Sequence, residues 1–142
     1  MTNREKAKEI LHSGGYTCVF CNGDDVYTNT RRGVAPLLQR LDSGLDYSAY
    51  SAADKVIGRG AAFIYIILGI KQIYVKVISQ PSLELLNSYG IDVEYDQLVP
   101  AIRNRDNTGF CPIESCVKGI DDPQEALQRI RARTAQLAQN SK

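Results

Sequence analysis

The chain has 142 residues, of which 44% are hydrophobic and 23% are charged. This length and composition are typical of one globular domain and exclude a disordered chain. The formal net charge of +1 excludes a bulk basic surface of the kind that nucleic-acid binding requires. Nucleic acid is therefore not an expected partner, whereas a small-molecule ligand is compatible with the composition.

Membrane insertion and secretion are also disfavoured. The longest apolar run, residues 61–70, is about half of the roughly 20 residues that a membrane-spanning helix needs. The first six residues are too polar for the core of a signal peptide. We therefore predict a cytoplasmic protein whose four cysteines are reduced thiols.

The first third of the chain predicts a helix, a hairpin and a second helix. Residues 3–13 have the apolar spacing of a short amphipathic helix. Two β-rich runs, residues 16–21 and 26–30, flank an Asn-Gly step, which is a strong hairpin signal. A short helix is expected over residues 36–41, with a proline near its start.

The middle of the chain predicts strands that alternate with helices. Residues 47–53 are expected to form a buried strand of small residues that runs into Asp54 and Lys55. Residues 56–68 are apolar almost all round, which predicts a central helix packed against a sheet. Residues 73–78 are the clearest strand.

The remaining elements continue this alternation. A helix is expected to open at Ser79 and to end at Gly90, followed by an alternating strand over residues 91–95. A polar loop spans residues 100–110, and a brief helix begins at Cys111. We predict one domain over residues 1–142, with an N-terminal helix in 1–15, a C-terminal helix in 121–138 and a frayed tail over 139–142.

This order of elements favours an α/β fold. The sheet should be mixed, with an antiparallel hairpin and parallel strands, and helices should cover both of its faces. Ligands of such sheets bind beyond the carboxyl ends of the strands, where helix N-termini converge. Two segments fit that description, residues 53–55 and 110–114, so we expect one pocket between them.

Several short segments of the chain are weak signals singly but together form a specific family pattern. They are residues 32–38, residues 53–58 followed by Ala61 and Ala62, the pair Asn104 and Arg105, and residues 109–114. On these segments the chain resembles the domain-of-unknown-function family 1893, which has a cytidine-deaminase-like fold. The resemblance runs from about Tyr16 to the final helix. It implies a three-layer α/β/α arrangement and brings no established activity.

The zinc signature of true deaminases is missing at both helix starts. Those enzymes place His-x-Glu or Cys-x-Glu at one start and Pro-Cys-x-x-Cys at the next, which hold zinc and move protons. Here the first start contains Asp54 and Lys55. At the second, Cys111 and Cys116 are five residues apart and would point about 140° away from each other on a helix. His12 lies in the opening helix, and we therefore predict no metal site and no cofactor.

Cys111 is the candidate of greatest interest, because the sequence predicts it at a helix start. The free amide N–H groups at a helix start stabilise a thiolate, and Arg103 and Arg105 could add to the positive field. This supports a nucleophile or redox thiol. An equally compatible interpretation is a capping box at the helix start. Cys111 would then be a poor N-cap, and the Glu114 side chain would accept a hydrogen bond from the backbone.

Asp54 and Lys55 are candidates for an acid/base pair, or Lys55 for an anion anchor at a helix start. The structural alternative is that Asp54 caps the central helix and Lys55 is solvated. Glu114 is the candidate supporting carboxylate. The candidate ligand-binding residues are Arg103, Asn104, Arg105 and Ser79.

Two further patterns carry little functional weight. Cys18 and Cys21 have C-x-x-C spacing but lie in a predicted strand, where residues three apart face opposite sides. The Gly58-Arg59-Gly60 step lacks the third glycine of a dinucleotide fingerprint. We expect these glycines to let the central helix approach the sheet closely.

Two functions stay open from the sequence. The first is a zinc-independent enzyme acting on a small, nucleotide-like molecule, with Cys111 as nucleophile, Asp54 as general acid/base, Lys55 as anion anchor and Glu114 in support. The second is a non-catalytic ligand-binding or regulatory domain that keeps the pocket. Reactivity of Cys111 at neutral pH separates the two.

Overall fold

A computed structural model describes residues 2–31, 33–102 and 112–140, apart from the side chains of residues 112 and 138–140. The helices in these ranges are α1 (Asn3–Gly14), α2 (Ala35–Asp42), α3 (Arg59–Leu68), α4 (Gln80–Ser88), α5 (Pro112–Cys116) and α6 (Pro123–Asn140). The strands are β1 (Cys18–Asn22), β2 (Asp25–Asn29), β3 (Ser51–Ile57), β4 (Gln72–Ser79) and β5 (Asp92–Val99).

The strands form one mixed sheet in the order β2-β1-β3-β4-β5. Strand β1 is antiparallel to both β2 and β3, whereas β3, β4 and β5 are parallel. The predicted α/β class, with an antiparallel hairpin and parallel strands, is confirmed. The hairpin pairs Asn22 with Asp25, and its turn begins at Gly23 with φ of 59°, a conformation that favours glycine.

The two faces of the sheet carry different cores. Helix α1 packs on one face, where the buried side chains are Ala7, Leu11, Val19, Cys21, Ala53 and Tyr74. The larger core on the other face holds side chains of α2, α3 and α4, and α6 packs on α3 and α5. Cys18 belongs to this larger core and Cys21 to the smaller one, which confirms that the C-x-x-C thiols face opposite sides.

The boundary between β3 and α3 differs from the prediction. The strand extends to Ile57 and the helix begins at Arg59, so Asp54 and Lys55 lie inside a strand and not at a helix start. The β-branched residues Val56 and Ile57 pair with β4, and such side chains suit a pleated surface. Gly58 has an extended backbone at the N-cap position, which marks the true start of the helix.

Side-chain alternation shifts by one residue within β3. Ala52 and Ile57 lie in the same core although they are five positions apart, and strict alternation would place them on opposite faces. Asp54 also faces this core, because it bonds a side chain of α3. Asp54 and Ile57 thus face the same core. The two side chains between them, those of Lys55 and Val56, are both turned outward and exposed.

No helix within the described ranges is long and apolar enough to cross a membrane. The cytoplasmic location stays a prediction from the sequence. Most of the polar loop predicted over residues 100–110, namely residues 103–110, lies outside the described residues. Helix α6 continues to Asn140, into the predicted tail.

Because of the shifted alternation, substitutions at two adjacent positions of β3 should change the stability of the fold by very different amounts. Ile57 is fully buried, whereas Val56 is 44% exposed. We expect Ile57→Ala to lower the free energy of unfolding by about 2–5 kcal/mol, because it leaves a cavity in the larger core. Val56→Ala should cost less than about 1 kcal/mol, as measured by urea denaturation. Equal costs for the two variants would contradict the shifted alternation.

Candidate functional site

A cleft of about 260 Å³ lies at the carboxyl end of β4, where the N-terminal ends of α3 and α4 meet. Its lining consists of Arg59, Ser79, Pro81, Pro100, Ala101, Glu114, Ser115, Lys118 and Gly119. The carboxyl ends of parallel strands are the usual ligand position in an open α/β sheet. The cleft therefore has the position expected of a binding site.

A carboxyl group from α5 caps the start of α3. Gly58, the N-cap residue, has no side chain to satisfy the free N–H groups of the first turn. Glu114 Oε1 accepts a hydrogen bond from the backbone N–H of Arg59 instead. A Cβ atom at position 58 would overlap this carboxyl group, so glycine makes room for it. Burial raises the pKa of Glu114.

The Arg59 side chain binds the segment that follows α5. Its guanidinium donates to the backbone oxygen of Val117 at 3.0 Å and to Asp121 Oδ1 at 3.0 Å. It also lies over the ring of Phe63, 5.0 Å from the centroid, which is a cation–π contact. The Arg59 side chain thus joins α3 to the segment that directly follows α5.

Further polar groups of the cleft come from Ser79, Ser115 and Lys118. Ser79 is buried at the end of β4, and its hydroxyl lies 2.5 Å from that of Ser82. Lys118 is exposed, and no acidic group among the residues that the structure describes forms an ion pair with it. The cleft thus combines the Lys118 ammonium group, the Glu114 carboxyl group and the hydroxyls of serines.

Residues 6–133 match the family model described as domain of unknown function (DUF1893). This chain belongs to the DUF1893 family. It is also similar to the crystal structure of a DUF1893 family protein from Thermotoga maritima, with 27% identity and a TM-score of 0.85. That match covers 94% of this chain and 91% of the Thermotoga chain. No match was found among curated proteins.

Of the predicted site residues that the structure describes, this cleft of the DUF1893 protein contains two. Glu114 and Ser79 do lie together in the cleft, but neither Asp54 nor Lys55 lines it. Asp54 is half-buried and turned toward α3, where its Oδ2 accepts a hydrogen bond from the Tyr65 hydroxyl at 2.7 Å. Lys55 is exposed on the opposite side of the strand.

Asp54 ends a buried hydrogen-bonded chain. The Tyr65 hydroxyl that donates to Asp54 lies 3.6 Å from the sulfur of Cys18. Burial raises the pKa of Asp54 to about 7 and raises the pKa of the Cys18 thiol well above its usual value. The Cys18 thiol is consequently protonated and unreactive at neutral pH. The Asp54 carboxyl group, in contrast, titrates close to neutral pH.

The only histidine of the chain lies away from the cleft. His12 is in α1, as predicted, and its Nε2 lies 2.9 Å from the Tyr74 hydroxyl, which donates to Asp96. Within residues 2–31, 33–102 and 112–140, no group of three or more His, Cys, Asp or Glu side chains could hold a metal ion.

Four predicted site residues lie outside the described residues, namely Cys111, Arg103, Asn104 and Arg105. Their roles stay predictions. Arg59 and Lys118 were missed from the sequence. Lys118 follows Glu114 by four positions, a spacing that brings two side chains to one side of a helical turn. Nothing in the local sequence indicates that Arg59 binds the turn around Asp121.

The raised pKa of Asp54 predicts a pH dependence of stability. An aspartate that is protonated more easily in the folded state stabilises the fold fully below its unfolded pKa of 3.8, and this contribution is lost as the pH rises through about 7. We expect the free energy of unfolding to fall between these values by up to about 1.4 kcal/mol per pH unit. Asp54→Asn should remove that slope in urea denaturation series.

Asp46→Asn is the matched control for this experiment. A backbone hydrogen bond from Ser48 holds the pKa of Asp46 below its usual value, so its contribution is present at neutral pH and lost in acid. The control should therefore keep the slope that Asp54→Asn removes. An unchanged slope in Asp54→Asn would show that Asp54 is ionised in the folded protein throughout this range.

Proposed function

We propose that this DUF1893 domain binds a small organic molecule in the cleft between α3 and α4. The observation that carries the proposal is the position of Glu114, a carboxyl group of raised pKa in a cleft at the carboxyl end of a parallel strand. Titratable groups with shifted pKa values concentrate at functional sites. A mainly apolar cleft with a few convergent polar groups is the usual form of a ligand site.

The lining indicates which ligand chemistry fits. Pro81, Pro100 and Ala101 offer apolar walls to a flat body. Lys118 suits an anionic group, and the Glu114 oxygen that does not bond Arg59 can pair with a ligand donor, or donate when it is protonated. A compound with a flat ring, hydrogen-bonding edges and a negative charge satisfies all three. Nucleotide-like molecules are therefore the first class to test.

We also propose that the fold is the three-layer, cytidine-deaminase-like one that the sequence resemblance implies. The strand order β2-β1-β3-β4-β5 and the packing of helices on both sheet faces support this assignment. The assignment favours a nucleobase-containing ligand by analogy only, because a fold does not determine a function.

The catalytic form of the proposal rests on Cys111. It is joined directly to Pro112, the first residue of α5, and two other residues of α5, Glu114 and Ser115, line the cleft. The thiol would act as nucleophile or thiol carrier, with Glu114 as the proton-exchanging group. Asp54 and Lys55 are left out of this mechanism, because they do not line the cleft.

The binding proposal is tested by ligand-induced stabilisation. Free nucleobases, nucleosides and nucleoside 5′-monophosphates are screened by thermal shift, and a ligand at 100 times its Kd should stabilise the fold by about 2.7 kcal/mol. We expect Glu114→Gln and Lys118→Gln each to reduce the stabilisation, because each removes a polar contact of the cleft.

Matched controls lie outside the cleft. Glu125→Gln and Lys71→Gln change the same residue types at exposed positions and should keep the full stabilisation. The cleft would be excluded as the site if the controls and the cleft variants lost stabilisation equally, or if Asp54→Asn alone abolished it. A screen without any stabilising compound would count against the nucleotide-like class.

The reactivity of Cys111 separates the enzyme from the non-catalytic binding domain. An activated thiol should be alkylated by iodoacetamide at pH 7 at least about tenfold faster than a thiol with an unshifted pKa, and faster than the same residue in urea-unfolded protein. Peptide mass spectrometry follows Cys111, with the buried Cys18 as the slow internal reference. Alkylation no faster than in the unfolded chain would favour the non-catalytic domain.

A further inference from the structure

A second, smaller pocket lies between the hairpin and α2, on the far side of β1 from the cleft. Its volume is about 80 Å³, and it is lined by Cys18, Phe20, Tyr27, Thr28, Asn29, Pro36, Gln39 and Arg40. Two cross-strand pairs form its floor, Cys18 with Asn29 and Phe20 with Tyr27. One face of α2 forms its wall, through residues spaced by three and four positions.

Arg40 is the charged group of this pocket. Its guanidinium lies over the ring of Tyr27, 4.5 Å from the centroid, and the side chain is half-buried. No carboxylate within the described part of the chain lies in ion-pair range of Arg40. The aromatic face attracts the charge but accepts none of the five N–H donors in the usual way. The pocket thus offers a positioned guanidinium that donates to no oxygen among the residues that the structure describes.

The neighbouring amides add a further donor. Asn29 Oδ1 accepts a hydrogen bond from the backbone N–H of Arg31 at 2.8 Å, which turns the Asn29 amide nitrogen toward Gln39. That nitrogen donates to Gln39 Oε1 at 3.3 Å. Gln39 Oε1 thus accepts this bond, and the Gln39 amide nitrogen donates to no group among the described residues. The donors of Gln39 and Arg40 lie on one wall, and no carboxylate lines the pocket.

We propose that this pocket binds a single oxyanion group, a phosphate or a carboxylate. A guanidinium and an amide that donate together match the oxygens of such a group. The volume of about 80 Å³, roughly a third of that of the cleft, suits a single group of this kind. Arg31, which precedes α2 and is exposed, adds positive charge nearby. The site shares no lining residue with the cleft. Anion binding here does not depend on the function proposed for the cleft.

The proposal is tested by NMR titration of the full ¹⁵N-labelled chain. Inorganic phosphate and acetate are added separately, with sodium chloride at the same ionic strength as the reference. We expect saturable shifts of the Gln39 side-chain amide and the Arg40 Nε–H signals with phosphate or acetate and none with chloride. Shifts with phosphate alone assign a phosphate site, and shifts with acetate assign a site that accepts carboxylates.

Variants decide whether Arg40 carries the binding. Arg40→Gln should raise the Kd for the bound anion at least about tenfold, because a charge-assisted hydrogen bond is lost. Arg40→Lys should give an intermediate Kd, since it keeps the charge but not the planar donor set. Arg129→Gln, an exposed arginine of α6, should leave the Kd unchanged.

Three results would overturn the proposal. They are the absence of saturable shifts, equal shifts with chloride, and shifts confined to Lys118 and its neighbours in the other cleft. The titration of the unmodified chain is decisive even if Arg40→Gln fails to fold, and Arg40→Lys then supplies the comparison. A Kd in Arg40→Lys equal to that of the unmodified chain would show that the planar donor set is not used.

Discussion

The hydrogen bond from the backbone N–H of Arg59 to the Glu114 carboxyl joins the start of α3 to α5. Three features meet at this bond. Gly58 leaves the space that the carboxyl group fills, Arg59 binds the turn after α5 through Val117 and Asp121, and burial raises the pKa of the carboxyl group. The same bond therefore caps a helix and positions one wall of the cleft, and burial rather than the bond accounts for the raised pKa of the Glu114 carboxyl group.

The shifted alternation of β3 explains why two polar residues of this strand lie away from the cleft. Asp54 turns toward α3 and ends a chain of buried hydrogen bonds that includes Tyr65 and Cys18. Lys55 and Val56 are both turned outward. Strand β3 thus places Asp54 against the core and Lys55 on the outer face. At the carboxyl ends of the strands, Gly58 follows β3 and Ser79 ends β4.

Local sequence signals predicted most of the fold, because the hairpin, β4 and α4 each follow from short-range patterns. The β3–α3 boundary could not be predicted in this way, since residues 56–68 are uniformly apolar and such a run does not distinguish the end of a buried strand from a helix. Glu114 and Ser79 could be predicted as site residues because they lie near the boundaries of helices and strands. Arg59 was missed because its partners lie about sixty positions away, and no local pattern encodes a contact of that separation.

The separation of 55 positions between Arg59 and Glu114 has a consequence for how the cleft is built. Contacts between distant parts of a chain form only after the loop between them has closed, at an entropic cost. A nascent or truncated chain that ends before α5 would contain the whole sheet yet lack one side of the cleft. The cleft would then form only when the segment that contains α5 folds back onto α3.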